Sequence, residues 1–249
     1  MIDTIDLSAF LLLLAVGAYV QTVTGFALGL VVMGAVTVFG LAPIAFSAVI
    51  VSISSLSNAL LALRGDRQHV HWPTVLISLA ALLPAMVGGI ALLTQLSGSS
   101  VHTLRLVLGG FILVSGVLLM LKPHPRPQLA GAVPTFIAGA FAGLFGGLFS
   151  TAGPPLVYHL YRQPLTVRVI RASLLAVFAV ATTWRVAVVA VAGEISREML
   201  WISLLALPMV LGSTALARRF RPPLSDLTMR RLAFGLLMLL GLLLVLSNR

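Results

Sequence analysis

The sequence contains no cysteine among its 249 residues. Disulfide bonds, thiolate metal ligands and a cysteine nucleophile are therefore excluded. Charged residues are also scarce, at 9% of the chain, whereas hydrophobic residues make up 59%. Several apolar runs approach or exceed the ~20 residues that cross a bilayer. These proportions exclude a soluble protein and predict an integral membrane protein.

Acidic residues are a second scarcity, because the whole chain has only six. All of them lie in a terminus or in a polar connection: Asp3, Asp6, Asp66, Glu194, Glu198 and Asp226. Proton and sodium coupling usually depends on carboxylates inside the membrane. A cation pump or cation channel is therefore disfavoured, although backbone carbonyls alone can hold a sodium ion. No pattern places catalytic groups or metal ligands together, so we expect no enzyme activity, no metal and no cofactor.

Positive charge is the exception to this scarcity, since 16 lysines and arginines give a net charge of +10. They cluster in short connections between apolar runs, which is how a membrane protein marks its cytoplasmic face. We therefore expect the lipid bilayer as a partner and do not expect nucleic acid.

The apolar runs number eight and fall into two similar halves. They cover 7–41, 43–63, 72–96, 103–121, 129–160, 170–192, 199–217 and 231–247. The segment Lys122 to Gln128 has three prolines in seven residues and cannot be helical. Similar features follow in the same order on both sides of it: Gly17 to Gly29 with Gly139 to Pro155, Gly65-Asp66 with Gly193-Glu194, and Thr103 to Gly109 with Met229 to Gly235. The sequence thus predicts two membrane repeats, 1–121 and 129–249, joined by a linker at 122–128.

The distribution of cations indicates how each repeat crosses the membrane, because lysine and arginine in short loops mark the cytoplasmic side. Eight plain crossings would divide the loop and tail cations eight against six, which is almost no bias. If the first run of each repeat is a hairpin that enters and leaves on one side, the division becomes twelve against two. Each repeat then has an odd number of crossings, so the repeats are inverted relative to each other, as in many secondary transporters.

The predicted fold is an all-α integral membrane protein with two inverted repeats, each a broken or re-entrant helix hairpin followed by three transmembrane helices. The arginine-rich loops and the linker would be cytoplasmic, and both termini would lie on the periplasmic side of the inner membrane. The first runs, of 35 and 32 residues, also allow two short crossings each, and the sequence leaves this alternative open. The oligomeric state is open as well, a homodimer included.

Several short motifs carry a resemblance that covers essentially the whole chain. They are Gln21-Thr22-Val23-Thr24-Gly25-Phe26, Leu63-Arg64-Gly65-Asp66 leading through Trp72 to Gly88-Gly89, Gly143-Leu144-Phe145-Gly146-Gly147 with Gly153-Pro154-Pro155, and Arg230-Arg231. Because these motifs occur together and in this order, the chain resembles the sulfite exporter TauE/SafE family of anion permeases. The resemblance implies an inverted-repeat permease that moves sulfite, sulfonates or related sulfur-containing anions. The chain departs from the commonest family pattern at Thr24 to Ala27, where a run of glycines followed by a proline is usual.

The residues around the two glycine stretches suit an anion better than a cation. Broken helices inside a membrane point unpaired N–H groups and positive dipole ends into the space between them. Glycines let the backbone approach a ligand closely, and hydroxyl and amide side chains donate hydrogen bonds. The candidate substrate-binding residues are Gln21, Thr22, Thr24, Gly25, Asn58, Gly146, Gly147, Ser150, Thr151, Gly153 and Arg185.

Each candidate also has a purely structural interpretation. Small residues commonly serve close helix packing, and Asn58, with the serines around it, is typical of interhelical hydrogen bonding. Arg185 either faces the pathway or extends its charged end to the membrane surface. Taken as a pair, the two glycine stretches favour a site.

The leading functional hypothesis is a permease that exports a small anion by alternating access, with the two repeats rocking about a site between the hairpin turns. An inside-negative potential expels an anion at ~2.3 kcal/mol per elementary charge per 100 mV, so export needs no coupled ion. Two alternatives remain: a passive anion channel lined by the same donors, and a non-transporting membrane scaffold whose glycines only pack helices.

Overall fold

The computed structural model describes residues 3–120, 126–220, 235 and 238–244. Nine helices have defined bounds in these ranges: α1 (Thr4–Thr24), α2 (Leu28–Phe39), α3 (Ile44–Leu63), α4 (Trp72–Ser99), α5 (Val101–Met120), α6 (Ala132–Phe149), α7 (Gly153–Tyr161), α8 (Val167–Val191) and α9 (Arg197–Arg219). Residues 238–244 are also helical, and no strand occurs in the described chain, which confirms the all-α prediction. Most of the predicted linker, 122–125, and the motif residues Arg230 and Arg231 lie outside the described residues.

Seven of these helices are long and apolar enough to cross a membrane. They are α1, α3, α4, α5, α6, α8 and α9, and their apolar stretches of 18 to 28 residues match the ~20 residues that a bilayer requires. The other two, α2 and α7, have 12 and 9 residues and are too short to span a bilayer. The protein is therefore a multi-pass membrane protein, as its composition predicts.

The two short helices each complete a hairpin, and the first hairpin consists of α1 and α2. Gly25, Phe26 and Ala27 form its turn, with φ of 89° at Gly25 and 90° at Ala27. Asp3 before α1 and Gly40 after α2 line the same cavity of about 690 Å³. The hairpin therefore enters and leaves the helix bundle at one face.

The second hairpin consists of α6 and α7, and its turn covers 150–152. At its open end, the Arg126 N–H donates to the Arg162 carbonyl at 2.7 Å. The Ala130 N–H donates to Gln163 Oε1, also at 2.7 Å. These bonds join the chain before α6 to the chain after α7, so this hairpin also begins and ends at one face.

The helices within each hairpin differ in length. α1 has 21 residues against 12 in α2, and α6 has 18 against 9 in α7. At 1.5 Å per residue, α1 extends ~30 Å and can carry the first turn close to the far end of the bundle. Thr22, in the last turn of α1, indeed lines a cavity together with Ala217 and Arg218 near the end of α9. The first turn thus lies near the end of the bundle at which α9 ends.

The helix ends define two faces of the bundle. α3 ends, α8 begins and α9 ends around a cavity that contains Arg64, Arg168, Arg171 and Arg218, and we call this end the arginine face. The open end of the first hairpin lies at the opposite face, with Glu198 at the start of α9.

Close packing of α4 against α6 holds the second hairpin in place. A Cβ atom at Gly139, Gly143 or Gly147 would overlap a carbonyl oxygen of α4, and a Cβ at Gly89 would overlap the carbonyl of Leu144. Such spacing of small residues lets two membrane helices approach backbone to backbone. For these glycines, helix packing explains the residue choice.

Candidate functional site

The turns of the two hairpins meet inside the helix bundle. A Cβ atom at Gly29, in the first turn of α2, would overlap the Ser150 carbonyl oxygen and lie 3.0 Å from the Thr151 methyl carbon. On the other side, the Cβ position of Gly153 lies 3.8 Å from the Phe26 side chain. The two glycine stretches that the sequence pairs are therefore in contact, and the contact at Gly29 requires glycine.

A small cavity lies where the turns meet, and we call it the inner cavity. Its volume is about 30 Å³, which is room for a ligand of a few atoms. Both hairpins line it, together with α3, α4 and α8. The predicted site residues in its wall are Gln21, Gly146, Ser150, Thr151, Gly153 and Arg185.

Arg185 is the charged residue of this wall, and it is only 1% exposed. From α8 it donates to the carbonyl oxygens of Gly146 at 3.2 Å and Gly147 at 3.1 Å. Two further bonds of 3.2 Å run to the Ala48 carbonyl and to Ser52 Oγ on α3. Within the described chain, no carboxylate lies at ion-pair distance from Arg185. The guanidinium thus faces the interior of the bundle and does not extend to the membrane surface.

Hydroxyl groups link Arg185 to the second turn. Ser52 Oγ donates to the Ala48 carbonyl at 2.7 Å and lies 2.7 Å from Ser150 Oγ. Since the Ser52 proton points to Ala48, Ser150 is the donor in the second contact. Ser150 has a φ of 56°, a left-handed conformation that is uncommon outside glycine. This conformation ends α6 and holds the Ser150 hydroxyl against α3.

Two other polar side chains have unused hydrogen-bonding capacity at the inner cavity. Thr151 is 3% exposed, and its Oγ1 atom has no hydrogen-bond partner among the residues that the structure describes. Gln21 donates from Nε2 to Ser55 Oγ at 3.2 Å, which uses one of its two amide N–H groups. A buried polar group without a partner costs about 1–3 kcal/mol. A ligand that hydrogen-bonds to Thr151 would remove that cost.

The backbone adds positive potential to the same space. α2 begins at Leu28 and α7 at Gly153, and neither helix has a side-chain hydrogen bond at its N-cap. The first N–H groups of a helix lack intrahelical partners and carry partial positive charge. In the first turn of α7, Gly153 supplies this N–H, because Pro154 and Pro155 have none. The partial negative charge at the end of α6 is neutralised by the bonds from Arg185. Two positive helix ends and a guanidinium therefore surround the cavity, an arrangement that suits an anion.

The remaining predicted residues lie outside the wall of the inner cavity: Thr22, Thr24, Gly25, Asn58 and Gly147. Asn58 Nδ2 lies within hydrogen-bonding distance of the Ala18 carbonyl, Thr22 Oγ1 and Thr214 Oγ1, at 3.0, 2.7 and 2.7 Å. It thereby joins α1, α3 and α9, as the interhelical interpretation of this residue requires.

Thr24 and Gly25 build the first turn rather than the cavity wall. Thr24 Oγ1 lies 2.7 Å from the Val20 carbonyl and 2.8 Å from the Phe26 carbonyl, so it bridges the end of α1 and the turn. The Gly25 N–H donates to the Gln21 carbonyl at 2.7 Å. Both residues therefore shape the turn that carries the site.

Some residues of the wall were not predicted. Ser55 and Thr182 line the cavity, and Ser52 links Arg185 to Ser150. Hydroxyl residues inside otherwise apolar runs were the available signal for these three. Met86 and Phe178 also line the cavity, but they resemble any other apolar helix residue in the sequence.

A second cavity, which we call the arginine vestibule, opens at the arginine face and has a volume of about 260 Å³. Asp66 pairs there with Arg168 at 2.8 Å and Arg171 at 3.3 Å. Burial alone would raise the pKa of the Asp66 carboxyl, but the hydrogen bond and charge of Arg168, with the charge of Arg171, bring that pKa below its ordinary value. Asp66 is therefore ionised at neutral pH.

A third cavity, of about 130 Å³, lies on the other side of Arg185. Arg185 lines both this cavity and the inner cavity. Glu194, which follows α8, lines the third cavity and accepts a hydrogen bond from Thr94 Oγ1 at 3.3 Å. Arg185 thus forms the partition between the two spaces.

A multi-pass helical protein with two hairpins that meet at a small, cationic, donor-lined cavity has the features of a membrane permease. The sequence profile described as sulfite exporter TauE/SafE matches residues 9–244, and the chain belongs to this family. A relative from Cupriavidus necator, named "Probable sulfite/organosulfonate exporter TauE", is 42% identical over 229 residues, which cover 92% of this chain and 90% of the relative. No solved structure matches the chain. The family consists of transporters, so the chain is a transporter and not an enzyme, and the resemblance seen in the sequence is confirmed.

Proposed function

We propose that the protein exports sulfite, organosulfonates or related small sulfur-containing anions, and that the inner cavity binds them. The environment of Arg185 carries this proposal. Its side chain is 1% exposed and forms no ion pair in the described ranges. It lies next to two helix N-termini that have no side-chain caps. The name of the Cupriavidus necator relative, an exporter of sulfite or organosulfonate, supports the class of substrate.

The buried positive charge of Arg185 favours binding of an anion. An isolated charge in a low-dielectric interior is costly unless it is paired. The three carbonyls and one hydroxyl around Arg185 solvate the guanidinium but leave its net charge in place. These bonds occupy four of its five N–H groups, so one N–H on Nη2 remains for a ligand. A small oxyanion supplies both the acceptor and the opposite charge.

The size of the inner cavity fits the same class of ligand. A volume of about 30 Å³ accommodates a compact group and no bulky substituent. Sulfite presents three oxygens, which can accept from Arg185, from Thr151 and from the first N–H groups of α2 or the N–H of Gly153 at the start of α7. A sulfonate presents the same three oxygens.

We further propose that transport proceeds by alternating access between two inverted repeats, 1–121 and 129–249. The inner cavity has a larger cavity on each side, the arginine vestibule and the third cavity near Glu194. In both predicted repeats, a glycine with positive φ precedes a carboxylate, with φ of 90° at Gly65 and 73° at Gly193. This shared loop geometry supports the correspondence between the repeats, and two-fold related halves are the usual basis of alternating access.

The charges favour one orientation in the membrane. We place the arginine face in the cytoplasm of a bacterial inner membrane and both termini in the periplasm, because arginines in short loops mark the cytoplasmic side. The inside-negative potential then drives a monoanion outward at ~2.3 kcal/mol per 100 mV, and a dianion at about twice that.

The test is thermal stability of the purified full-length protein with sulfite, methanesulfonate, thiosulfate, sulfate and acetate. A ligand that binds only the folded state stabilises it, by about 2.7 kcal/mol at 100 times the Kd. We expect sulfite or methanesulfonate to raise the Tm of the wild type in a saturable way, and to raise it much less in Arg185→Gln. If no anion raises the Tm, the proposal is wrong. An equal shift in Arg185→Gln would show that the inner cavity is not the site.

A further inference from the structure

The arginine vestibule carries more positive than negative charge. Four arginines line it, Arg64 after α3, Arg168 and Arg171 in α8, and Arg218 in α9, whereas Asp66 is its one carboxylate within the described chain. A concave surface with one dominant sign of charge concentrates ions of the opposite sign. The vestibule therefore attracts anions to the arginine face.

Asp66 shows that these arginines bind an oxyanion. Its Oδ1 atom accepts from Arg168 Nη2 at 2.8 Å and from Arg168 Nε at 3.0 Å. Its Oδ2 atom accepts from Arg171 Nη2 at 3.3 Å. Paired N–H groups of arginine match carboxylates and similar oxyanions in both charge and shape. The two side chains are thus already arranged for a small oxyanion, with Asp66 in its place.

The other two arginines keep their charge available. Arg218 donates from Nη1 to the Leu61 carbonyl at 3.0 Å and from Nη2 to the Arg64 carbonyl at 2.8 Å. Those neutral acceptors orient its guanidinium without cancelling the charge. Neither Arg64 nor Arg218 forms an ion pair with a carboxylate in the part of the chain that the structure describes.

The vestibule adjoins the first hairpin turn, which separates it from the inner cavity. Thr22 lines the vestibule, while Gln21, one residue earlier in α1, lines the inner cavity. The Cβ position of Gly25 lies 2.8 Å from Arg171 Cγ, so the aliphatic part of Arg171 packs directly on the turn. Arg171 therefore contacts both Asp66 and the turn that closes the inner cavity.

We propose that the arginine vestibule is a second oxyanion site, where the substrate displaces the Asp66 carboxylate from Arg168 and Arg171 before it enters the inner cavity. The ligand class is a small oxyanion such as sulfite or the sulfonate group of an organosulfonate, and this inference rests on the proposed function. Asp66 is then an internal competitor. It holds the arginines in position while the vestibule is empty, and it weakens anion binding so that the anion can move on.

The test is equilibrium binding of radiolabelled sulfite to the purified full-length protein. We expect two equivalents in the wild type. Asp66→Asn should tighten the vestibule site about tenfold, because the competing charge is gone, and Arg168→Gln should weaken it about tenfold. Arg67→Gln is the matched control, since Arg67 is exposed in the same loop region, does not line the vestibule, and loses the same charge. It should leave both sites unchanged.

Further variants separate the possible failures. Asp66→Glu keeps the carboxylate and should bind sulfite like the wild type; tightening equal to that of Asp66→Asn would contradict competition by charge. Arg185→Gln should lose the inner equivalent and keep the vestibule equivalent. One equivalent in the wild type, insensitive to Asp66→Asn and Arg168→Gln, would overturn the vestibule site and leave the proposed function standing. Absence of binding in the wild type would overturn both.

Discussion

The two hairpin turns meet at one cavity but contribute different things to it. The first turn has left-handed backbone at Gly25 and Ala27, and its cavity wall is made of backbone and a methyl group. The second turn brings the hydroxyls of Ser150 and Thr151, and the carbonyls before it bind Arg185. A helix N-terminus follows each turn, but the first turn contributes shape and the second contributes hydroxyl groups.

Substitutions in the two turns should therefore have different first effects. Changes in the first turn should alter folding, because its residues are there for backbone conformation and close contact. Changes around the second turn should alter anion binding, because the Thr151 hydroxyl and one N–H of Arg185 are unused donors within the described chain.

Arg185→Gln should have the largest effect on transport, because Arg185 binds the carbonyls before the second turn and, in our proposal, the anion. The substitution removes the charge and several charge-assisted hydrogen bonds, each of which contributes about 1.5–3 kcal/mol. We expect sulfite transport to fall at least about 100-fold in a proteoliposome flux assay, and Arg185→Lys to recover part of it. Arg105→Gln, which removes an arginine from the separate cavity at the opposite face, is the control and should retain transport. Wild-type flux in Arg185→Gln would contradict the account.

Gly25→Ala and Gly153→Ala compare a glycine of the first turn with the glycine that directly follows the second turn. At Gly25, the backbone has a left-handed φ of 89°, and an added Cβ would lie 2.8 Å from Arg171 Cγ. We therefore expect Gly25→Ala to lower the free energy of unfolding by about 1–2 kcal/mol from the backbone strain alone. At Gly153, the nearest atoms are at 3.8 Å and the φ is ordinary, so the alanine should fold normally. Thermal unfolding of the purified variants measures both, and equal Tm losses would contradict the proposed division.

Thr151→Val should weaken binding without destabilising the fold. The Thr151 hydroxyl has no partner in the described chain, so the nearly isosteric valine loses no internal hydrogen bond. A hydrogen bond to the charged anion contributes about 1.5–3 kcal/mol, which predicts a rise of at least about tenfold in the Kd for sulfite. Since the substitution removes a buried hydroxyl that has no partner among the described residues, the Tm should be unchanged or higher. Thr94→Val, which removes a hydroxyl that bonds to Glu194 in the third cavity, is the control. Unchanged sulfite affinity in Thr151→Val would show that this hydroxyl does not reach the ligand.

Ala27→Gly should have the smallest effect, a stabilisation of the first turn. Ala27 has a φ of 90°, where a residue with a Cβ is strained by about 1–2 kcal/mol and glycine is not. The greater freedom of glycine in the unfolded chain offsets part of this gain, by up to about 1 kcal/mol. We expect a Tm rise of a few degrees at most, and a lower Tm would indicate that the Ala27 methyl group is needed at the cavity wall.

Much of the fold follows from the sequence because membrane helices are marked by long apolar runs. The predicted runs 43–63 and 72–96 correspond closely to α3 and α4. The hairpins were predictable since 7–41 is too long for one crossing and carries glycines in its interior. Inside 129–160, however, only the contact with α4 shows which glycines pack helices and which adjoin the cavity.

The candidate site was only partly predictable, because long-range partners decide what a polar side chain does. Asn58 reaches Thr214, which is 156 residues away, and so belongs to helix packing. Arg185 had two equally good interpretations until the carbonyls of Gly146 and Gly147 were found next to it. No local pattern in the sequence reveals such neighbours.

In the proposed mechanism a small anion moves with its charge past Arg185, and sulfite efflux from proteoliposomes under an imposed membrane potential measures this movement. By this mechanism, an inside-negative potential accelerates efflux through the wild-type protein at constant sulfite concentrations, and Arg185→Gln abolishes this flux. Efflux that does not respond to the potential, or that persists unchanged in Arg185→Gln, would contradict it.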